Sequence, residues 1–313
     1  MGYLKGICIS EKRGTQKTEV DSACVKEDWG IEGDAHAGRW HRQVSLLAYE
    51  QIEKFREKGA DVNFGSFGEN LIVEGFDSLK TIPVGSRFQI GEVLLELTQI
   101  GKECHTHCKI YQTMGDCIMP REGVFTRVIH GGRICQGDEV KLLDPAEDRK
   151  FTAAVITLSD SGARGERVDE SGPLLAEELT EAGYEVVEQL LLPDDPARTK
   201  AELIRLCDQR QLQLIMTTGG TGFSPRDHTP EATMAVATRN APGIAEAIRA
   251  ESMRHTKRAM LSRGVSVIRD RTLIINLPGS PKAVKESMDA IMDSLEHGIR
   301  VMIGSVSNCA QNT

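Results

Sequence analysis

The sequence predicts two domains of different class. Residues 1–145 read as a mostly β, barrel-like domain, 146–150 as a linker, and 151–313 as an α/β domain with a largely parallel sheet. Three observations carry this. The chain has 313 residues, long for one compact core and comfortable for two. Before residue 144, turn residues recur every few positions between short strand-like runs. After residue 150, strand-like and helix-like runs alternate.

Within the first domain, residues 93–98 read as a strand after the Gly91 turn, with 87–90 as the hairpin partner. Residues 139–143 give a closing strand after Gly137 and Asp138. Residues 45–58 read as a helix, with Leu46, Tyr49, Ile52 and Phe55 at near-helical spacing. The polar stretch 144–150 holds one proline, Pro145, and marks the boundary.

Within the second domain, residues 153–158, 184–192, 212–217 and 272–276 read as strands. Helices are expected at 196–210, 229–238 and 281–303, and another is capped by Ser171 with Pro173 in its first turn. In such sheets ligands bind at the carboxyl ends of the strands.

Net charge is −8, split evenly between the halves, which argues against a general nucleic-acid binder. No run approaches ~20 apolar residues, so no membrane span is expected. No apolar h-region with a cleavage site follows Lys5, so a cytoplasmic location is expected. The cysteines then read as thiols rather than structural disulfides. They are uneven: Cys8, Cys24, Cys104, Cys108, Cys117 and Cys135 precede residue 150, and only Cys207 and Cys309 follow.

The strand at 212–217 runs into Thr218, Gly219, Gly220, Thr221 and Gly222. Glycines let backbone N–H groups turn towards an anion, and threonine hydroxyls add donors. No GK[ST] follows, so this is not a P-loop. Next come Arg226, Asp227 and a helix start, with Thr229 as the expected cap and Pro230 at its first position. Asp227 then sits at a helix N-terminus, suited to a phosphate or a metal-bound carboxylate. Two more polar loops, at 193–195 and 277–282, also follow strands and should converge on the same sheet edge.

The order SDS at Ser159, Asp160 and Ser161, PD at Asp194, TTGGTG at 217–222, RDxTPEA at 226–232, LSRG at 261–264 and LPGSPKAV at 277–284 resembles the molybdopterin adenylyltransferase family over essentially all of 151–305. The resemblance implies AMP transfer from ATP to the terminal phosphate of molybdopterin, with release of pyrophosphate. It makes Asp194 and Asp227 the functional acids, with Mg²⁺ on Asp194. Asp195 is adjacent and chemically equivalent, but family position favours Asp194. Gly219, Gly220 and Thr221, together with Thr218, Gly222, Ser159 and Asp160, are then expected at nucleotide phosphates or pterin. Ser262, Pro278, Gly279, Ser280 and Lys282 are expected near the pterin phosphate. A homotrimer and a metal-insertion enzyme as partner are further implications.

In the first half, GDAHAG at 33–38, FGENL at 67–71 and VGSRFQIGEVLLELTQ at 84–99, followed by Cys104, resemble a MOSC domain, the domain of molybdenum cofactor sulfurases and related proteins. Glu103 replaces the proline often found before the family's cysteine. The resemblance implies a functional thiol at Cys104, either as a persulfide carrier or as a ligand to molybdenum or tungsten. Cys108 is a second candidate and Cys117 follows nine residues later. An extended segment would hold Cys104 and Cys108 ~13 Å apart, and a helical one would bring them within one turn. His36, His105 and His107 are candidates to orient substrate or lower the thiol pKa.

The leading reading is therefore a two-domain enzyme of molybdenum cofactor biosynthesis. A non-catalytic carrier of the pterin cofactor is the alternative, and a reductase-type molybdenum centre in the first half is a third.

Overall fold

The computed structural model describes residues 1–102, 111 and 114–304. The chain divides into two compact units, Met1–Arg149 and Lys150–Thr313.

The first unit is built on strands β1 (Gly2–Ile9), β2 (Thr18–Val20), β3 (Ser22–Lys26), β4 (Gly30–Ile31), β5 (Val44–Ala48), β6 (Leu71–Glu74), β7 (Arg87–Ile90), β8 (Val93–Ile100), β9 (Val124–His130), β10 (Gly132–Cys135) and β11 (Glu139–Leu143). An eight-stranded sheet runs β11-β7-β8-β9-β5-β6-β1-β2. It closes because β1 also pairs with β11, through Gly2 opposite Val140 and Tyr3 opposite Glu139. The result is a barrel with β2 attached outside the ring, filled by Leu4, Ile7, Leu46, Leu71, Phe88, Leu95 and Val124. Strands β3, β4 and β10 form a separate small sheet.

The helix expected at 45–58 is shorter than its apolar pattern. Val44–Ala48 is a fully buried strand, and the helix α1 spans only Tyr49–Arg56. Leu46 points into the barrel core while Leu47 packs with Ile52 and Phe55 of α1. A strand buried on both faces gives a continuous apolar run that periodicity cannot separate from a helix. The motif-like FGENL stretch shapes a turn: the Glu69 carboxylate accepts from the N–H groups of Gly65 (2.8 Å) and Phe67 (3.0 Å). Asn70 donates to Cys8 O (3.0 Å) and accepts from Ser45 N (3.2 Å), tying three strands together.

The GDAHAG turn holds a buried ion pair. Lys17 Nζ lies 2.5 Å from Asp34 Oδ2, and each side chain is 1% exposed. Asp34 also accepts from Ser10 N (3.0 Å) and His36 N (2.9 Å). Burial opposes charge on Asp34, but His36 and Lys17 outweigh it and hold the carboxyl well below its usual range.

The second unit has strands β12 (Thr152–Leu158), β13 (Glu185–Leu192), β14 (Leu214–Thr218), β15 (Arg239–Asn240), β16 (Ser266–Arg269) and β17 (Thr272–Leu277), in the order β13-β12-β14-β17-β16-β15. The pairings among β13, β12, β14 and β17 are parallel, and those of β16 with β17 and β15 are antiparallel. Every residue of β12, β14 and β17 is buried, as expected for strands covered by helices on both faces. The helices are α2 (Met119–Glu122) in the first unit, then α3 (Asp160–Ala163), α4 (Ser171–Glu181), α5 (Pro196–Ile204), α6 (Thr229–Met234), α7 (Pro242–His255) and α8 (Pro281–Met302).

The sheet is thus mixed, with a parallel centre. Helix 196–210 proves to be an α-helix to Ile204 followed by a π-turn at Arg205–Gln209, and helix 229–238 stops at Met234. Ser171 is the first helical residue rather than the cap. The Asp169 carboxylate takes that role, accepting from Ser171 N (3.1 Å) and Gly172 N (3.0 Å). Among the described residues, Cys8, Cys24, Cys117, Cys135 and Cys207 are free thiols. No helix of the described residues is long and apolar enough to cross a membrane.

Replacing Lys17 by Met leaves the buried Asp34 carboxylate without its cation. The expected cost is about 3 kcal/mol of first-unit stability. Both tryptophans, Trp29 and Trp40, lie in this unit, so urea unfolding followed by tryptophan fluorescence measures it directly. An unchanged midpoint would remove the pair from the account of this fold.

Candidate active site

Strands β12, β13, β14 and β17 end at Leu158, Leu192, Thr218 and Leu277, on one edge of the sheet. Because these strands are parallel and adjacent, the loops that follow them meet there.

The first two loops lock together. Asp160 N donates to Asp194 Oδ2 (3.2 Å), and Asp194 N donates to Asp160 Oδ1 (3.0 Å). Asp195 faces elsewhere: its carboxylate caps α5, accepting from Ala197 N (2.9 Å) and Arg198 N (3.1 Å). The local structure therefore separates two adjacent acids that composition alone leaves equivalent.

The third loop needs its glycines. Gly219 has φ +96°, and a Cβ there would lie 2.4 Å from Leu158 O. Gly220 has φ +64°, and its Cβ would meet Thr229 Oγ1 at 2.3 Å, with Asp194 Oδ1 at 3.4 Å. The threonines around them serve the scaffold. Thr217 Oγ1 accepts from Asn276 Nδ2 (3.0 Å), and Thr218 Oγ1 donates to Pro278 O (2.7 Å). Thr229 is not the helix cap: it is the first residue of α6, and its hydroxyl donates to Gly219 O (3.0 Å). Thr221 is buried and its carbonyl accepts from Arg263 N (2.9 Å).

Asp227 is fixed within the same loop, its Oδ2 accepting from Ser224 N (2.9 Å). A Cβ on Gly222 would come within 2.8 Å of that oxygen, so the smallest residue is needed beside the carboxylate. Asp194 and Asp227 are close enough to interact. Burial first, and then the Asp227 charge, push the Asp194 carboxyl above its usual pKa, with His228 opposing. Arg226 pairs with Asp160.

Beside this acid pair, a cavity of ≈ 300 Å³ opens between Ser159, Thr218, Gly219, Gly279 and Ser280, with Arg167 and Asp169 on its wall. The first residues of α4 and α8, Ser171 and Pro281, also line it. The α8 end and the Arg167 guanidinium supply positive potential, opposed by the carboxylates of Glu170 and of Asp169, which caps α4. Gly219 lines this cavity and Gly220 faces Asp194, so one loop serves both.

Lys282 and Ser262 do not line this cavity. Lys282 is exposed, 3.8 Å from Glu286. Ser262 Oγ accepts from Gly264 N (3.4 Å). Cys104, Cys108, His105 and His107 lie outside the described residues. Among the described residues, no group of three or more His, Cys, Asp or Glu side chains is arranged to hold a metal. Arg263, the neighbour of Ser262, was not among the expected site residues. It donates to Gly222 O (2.6 Å) and Asp227 O and pairs with Glu231. Its signal is the LSRG stretch at 261–264, from which Ser262 alone is expected at the site.

A family described as a probable molybdopterin binding domain matches residues 154–297, and the MOSC domain matches residues 33–141. The molybdopterin adenylyltransferase of Escherichia coli K12 is 41% identical over 164 residues, covering 50% of this chain and 82% of that protein. The enzyme of the same name from Helicobacter pylori J99 is 36% identical over 153 residues, covering 48% and 87%. The crystal structure of the molybdopterin biosynthesis enzyme MoaB from Thermus thermophilus is 45% identical, covers 49% of this chain and 97% of that one, and has a TM-score of 0.47. With acids, glycine loop and cavity on one sheet edge and 41% identity to the Escherichia coli enzyme across the second unit, the chain belongs to the molybdopterin adenylyltransferase family and carries a MOSC domain ahead of its enzyme domain.

Proposed function

We propose that the second unit transfers AMP from ATP to the terminal phosphate of molybdopterin. A phosphate oxygen of molybdopterin attacks the α-phosphorus of ATP, the bond to the β-phosphate breaks, and pyrophosphate leaves with its electron pair. No redox change is involved. The observation that carries this reading is the paired carboxylates Asp194 and Asp227, held beside a glycine loop and a cavity.

A half-buried carboxylate whose pKa is raised by burial and by a second carboxylate nearby is a good seat for a cation. Asp194 and Asp227 would hold Mg²⁺, which takes one or two protein carboxylates with the rest of its shell from phosphates and water, and which would neutralise phosphate charge. That demand fits the absence of a three-ligand protein cluster among the described residues. Gly219 and Gly279 let the backbone approach the phosphates, and Arg167 with the helix end at Pro281 supplies positive potential.

The first unit completes the reading as a sulfur- or cofactor-handling domain acting through Cys104. The described thiols Cys8 and Cys207 do not suit that role, because burial pushes both up to about 12. We assign the product to a metal-insertion enzyme as recipient and the assembled protein to a homotrimer in the cytoplasm, on family resemblance.

Incubation with molybdopterin, ATP and Mg²⁺ should release pyrophosphate in step with adenylylated product. Asp194→Asn and Asp227→Asn should each lower the rate by ~100-fold or more. Wild-type rates in both variants would sink the assignment, and pterin binding without pyrophosphate release would leave a carrier instead.

Asp194→Asn should also raise the melting temperature of the second unit at neutral pH, by less than ~1 kcal/mol of stability given the solvent exposure of the site. The sign follows from the raised pKa: the ionised carboxylate costs stability above its folded pKa, and the cost fades as pH falls through that value. Calorimetry at neutral and acidic pH should therefore show the gain shrinking in acid. A loss of stability at neutral pH would contradict the repulsion.

A further inference from the structure

We infer that Arg263 is a positioning residue for the acid pair: it sets where Asp227 stands relative to Asp194. The inference rests on the reading of these two acids given above, and it adds a residue that touches neither carboxylate.

The loop from Thr221 to His228 is held mostly by bonds to itself. Asp227 N donates to Ser224 O (2.9 Å), Ser224 N to Asp227 Oδ2 (2.9 Å) and Arg226 N to Ser224 Oγ (3.3 Å). Such a loop keeps its own shape but does not fix its place on the sheet. Arg263 supplies that. Its backbone N–H donates to Thr221 O at the start of the loop (2.9 Å). Its Nε donates to Gly222 O (2.6 Å) and its Nη2 to Asp227 O. Its Nη1 pairs with Glu231 in the first turn of α6, beyond the end of the loop. One planar guanidinium thus reaches the beginning, the acid and the far end together.

The base of Arg263 is itself anchored. Gly264 O accepts from Arg249 Nη1 of α7 (2.7 Å). Val265 N donates to Asn276 Oδ1 (3.3 Å), and Asn276 N donates to Val265 O (2.9 Å). The loop carrying Asp227 is therefore tied to β17, the strand beside β14, rather than left to swing on its glycines. Another side-chain tether among the described residues, Arg226 to Asp160, involves an arginine 62% exposed. Arg263 is 32% exposed. A fork with donors in three directions is specific to arginine, and lysine offers a single point.

The consequence concerns spacing more than stability. If Asp227 drifts, a cation loses one of its two carboxylates. A misplacement near 1 Å is enough to lower turnover strongly.

The test compares wild type, Arg263→Gln and Arg263→Lys as full-length protein. It measures Mn²⁺ binding by titration calorimetry, and kcat separately from KM for ATP. For Arg263→Gln the expected results are Mn²⁺ binding weaker by ~5-fold or more, kcat lower by ~10-fold or more, and ATP KM within ~3-fold of wild type. Arg263→Lys should restore part of each effect. A folded Arg263→Gln with wild-type Mn²⁺ affinity overturns the inference, as does activity lost only in proportion to folded protein. If Arg263→Gln does not fold, the same comparison is made on Arg263→Lys, with the same outcomes deciding. A wild type that releases no pyrophosphate defeats the adenylyl-transfer reading alone, and the Mn²⁺ comparison still judges Arg263.

Discussion

The second unit is organised around a repulsion. Asp194 and Asp227 stand on different loops, and the Asp227 charge adds to burial in disfavouring charge on Asp194. Nothing local would bring them together. They meet because β13 and β14 are parallel to the same strand and stop at the same edge, and because Asp160, Ser224 and Arg263 fix each loop from the side. The glycines at 219, 220 and 222 remove the side chains that would otherwise prise this arrangement apart. Folding energy from the buried strands is spent to hold an unfavourable pair of charges, and that tension is what a cation and phosphates relieve.

The parts of this plan that were legible in the sequence are those with strong local chemistry. Buried strands of β-branched and aliphatic residues ending in Gly- or Pro-bearing loops announced β12, β14 and β17 and the edge where they converge. What escaped was set by tertiary partners. The antiparallel addition of β16 and β15 is too short to carry a pattern, and α7 buries Ala245, Ile248 and Ser252, which give little hydrophobic contrast. Thr229 looked like a cap because threonine before proline usually is one, yet its hydroxyl bonds to Gly219 O, ten residues back. Thr218 is expected at a ligand and lines the cavity, while its hydroxyl donates to Pro278 O, from another loop. Arg263 lies inside the LSRG stretch, but its role was not legible there, since its three acceptors are assembled only by the fold.

The first unit shows the same division. Motif stretches that suggested function turn out to include scaffold roles: Glu69 and Asn70 shape the turn and join β1, β5 and β6, and Asp34 is neutralised by Lys17 from a separate segment. The boundary between strand β5 and α1 was invisible because Leu46 and Leu47 are both buried, against different layers. Closure of the barrel by β1 on β11 joins residues near the two ends of the unit, a pairing that spacing along the chain cannot reveal.

The approach of Gly219 to Gly279 reaches further than the site itself. A Cβ on Gly279 would lie 3.2 Å from the α-carbon of Gly219, so two backbones sixty positions apart are in direct contact. Bulk at Gly279 presses on Gly219, and bulk at Gly219 presses on Leu158 at the end of β12. In an engineered or drifting lineage the two loops must therefore vary as one block: a cavity reshaped for a larger ligand has to be opened from the strand ends beneath, not by decorating either loop.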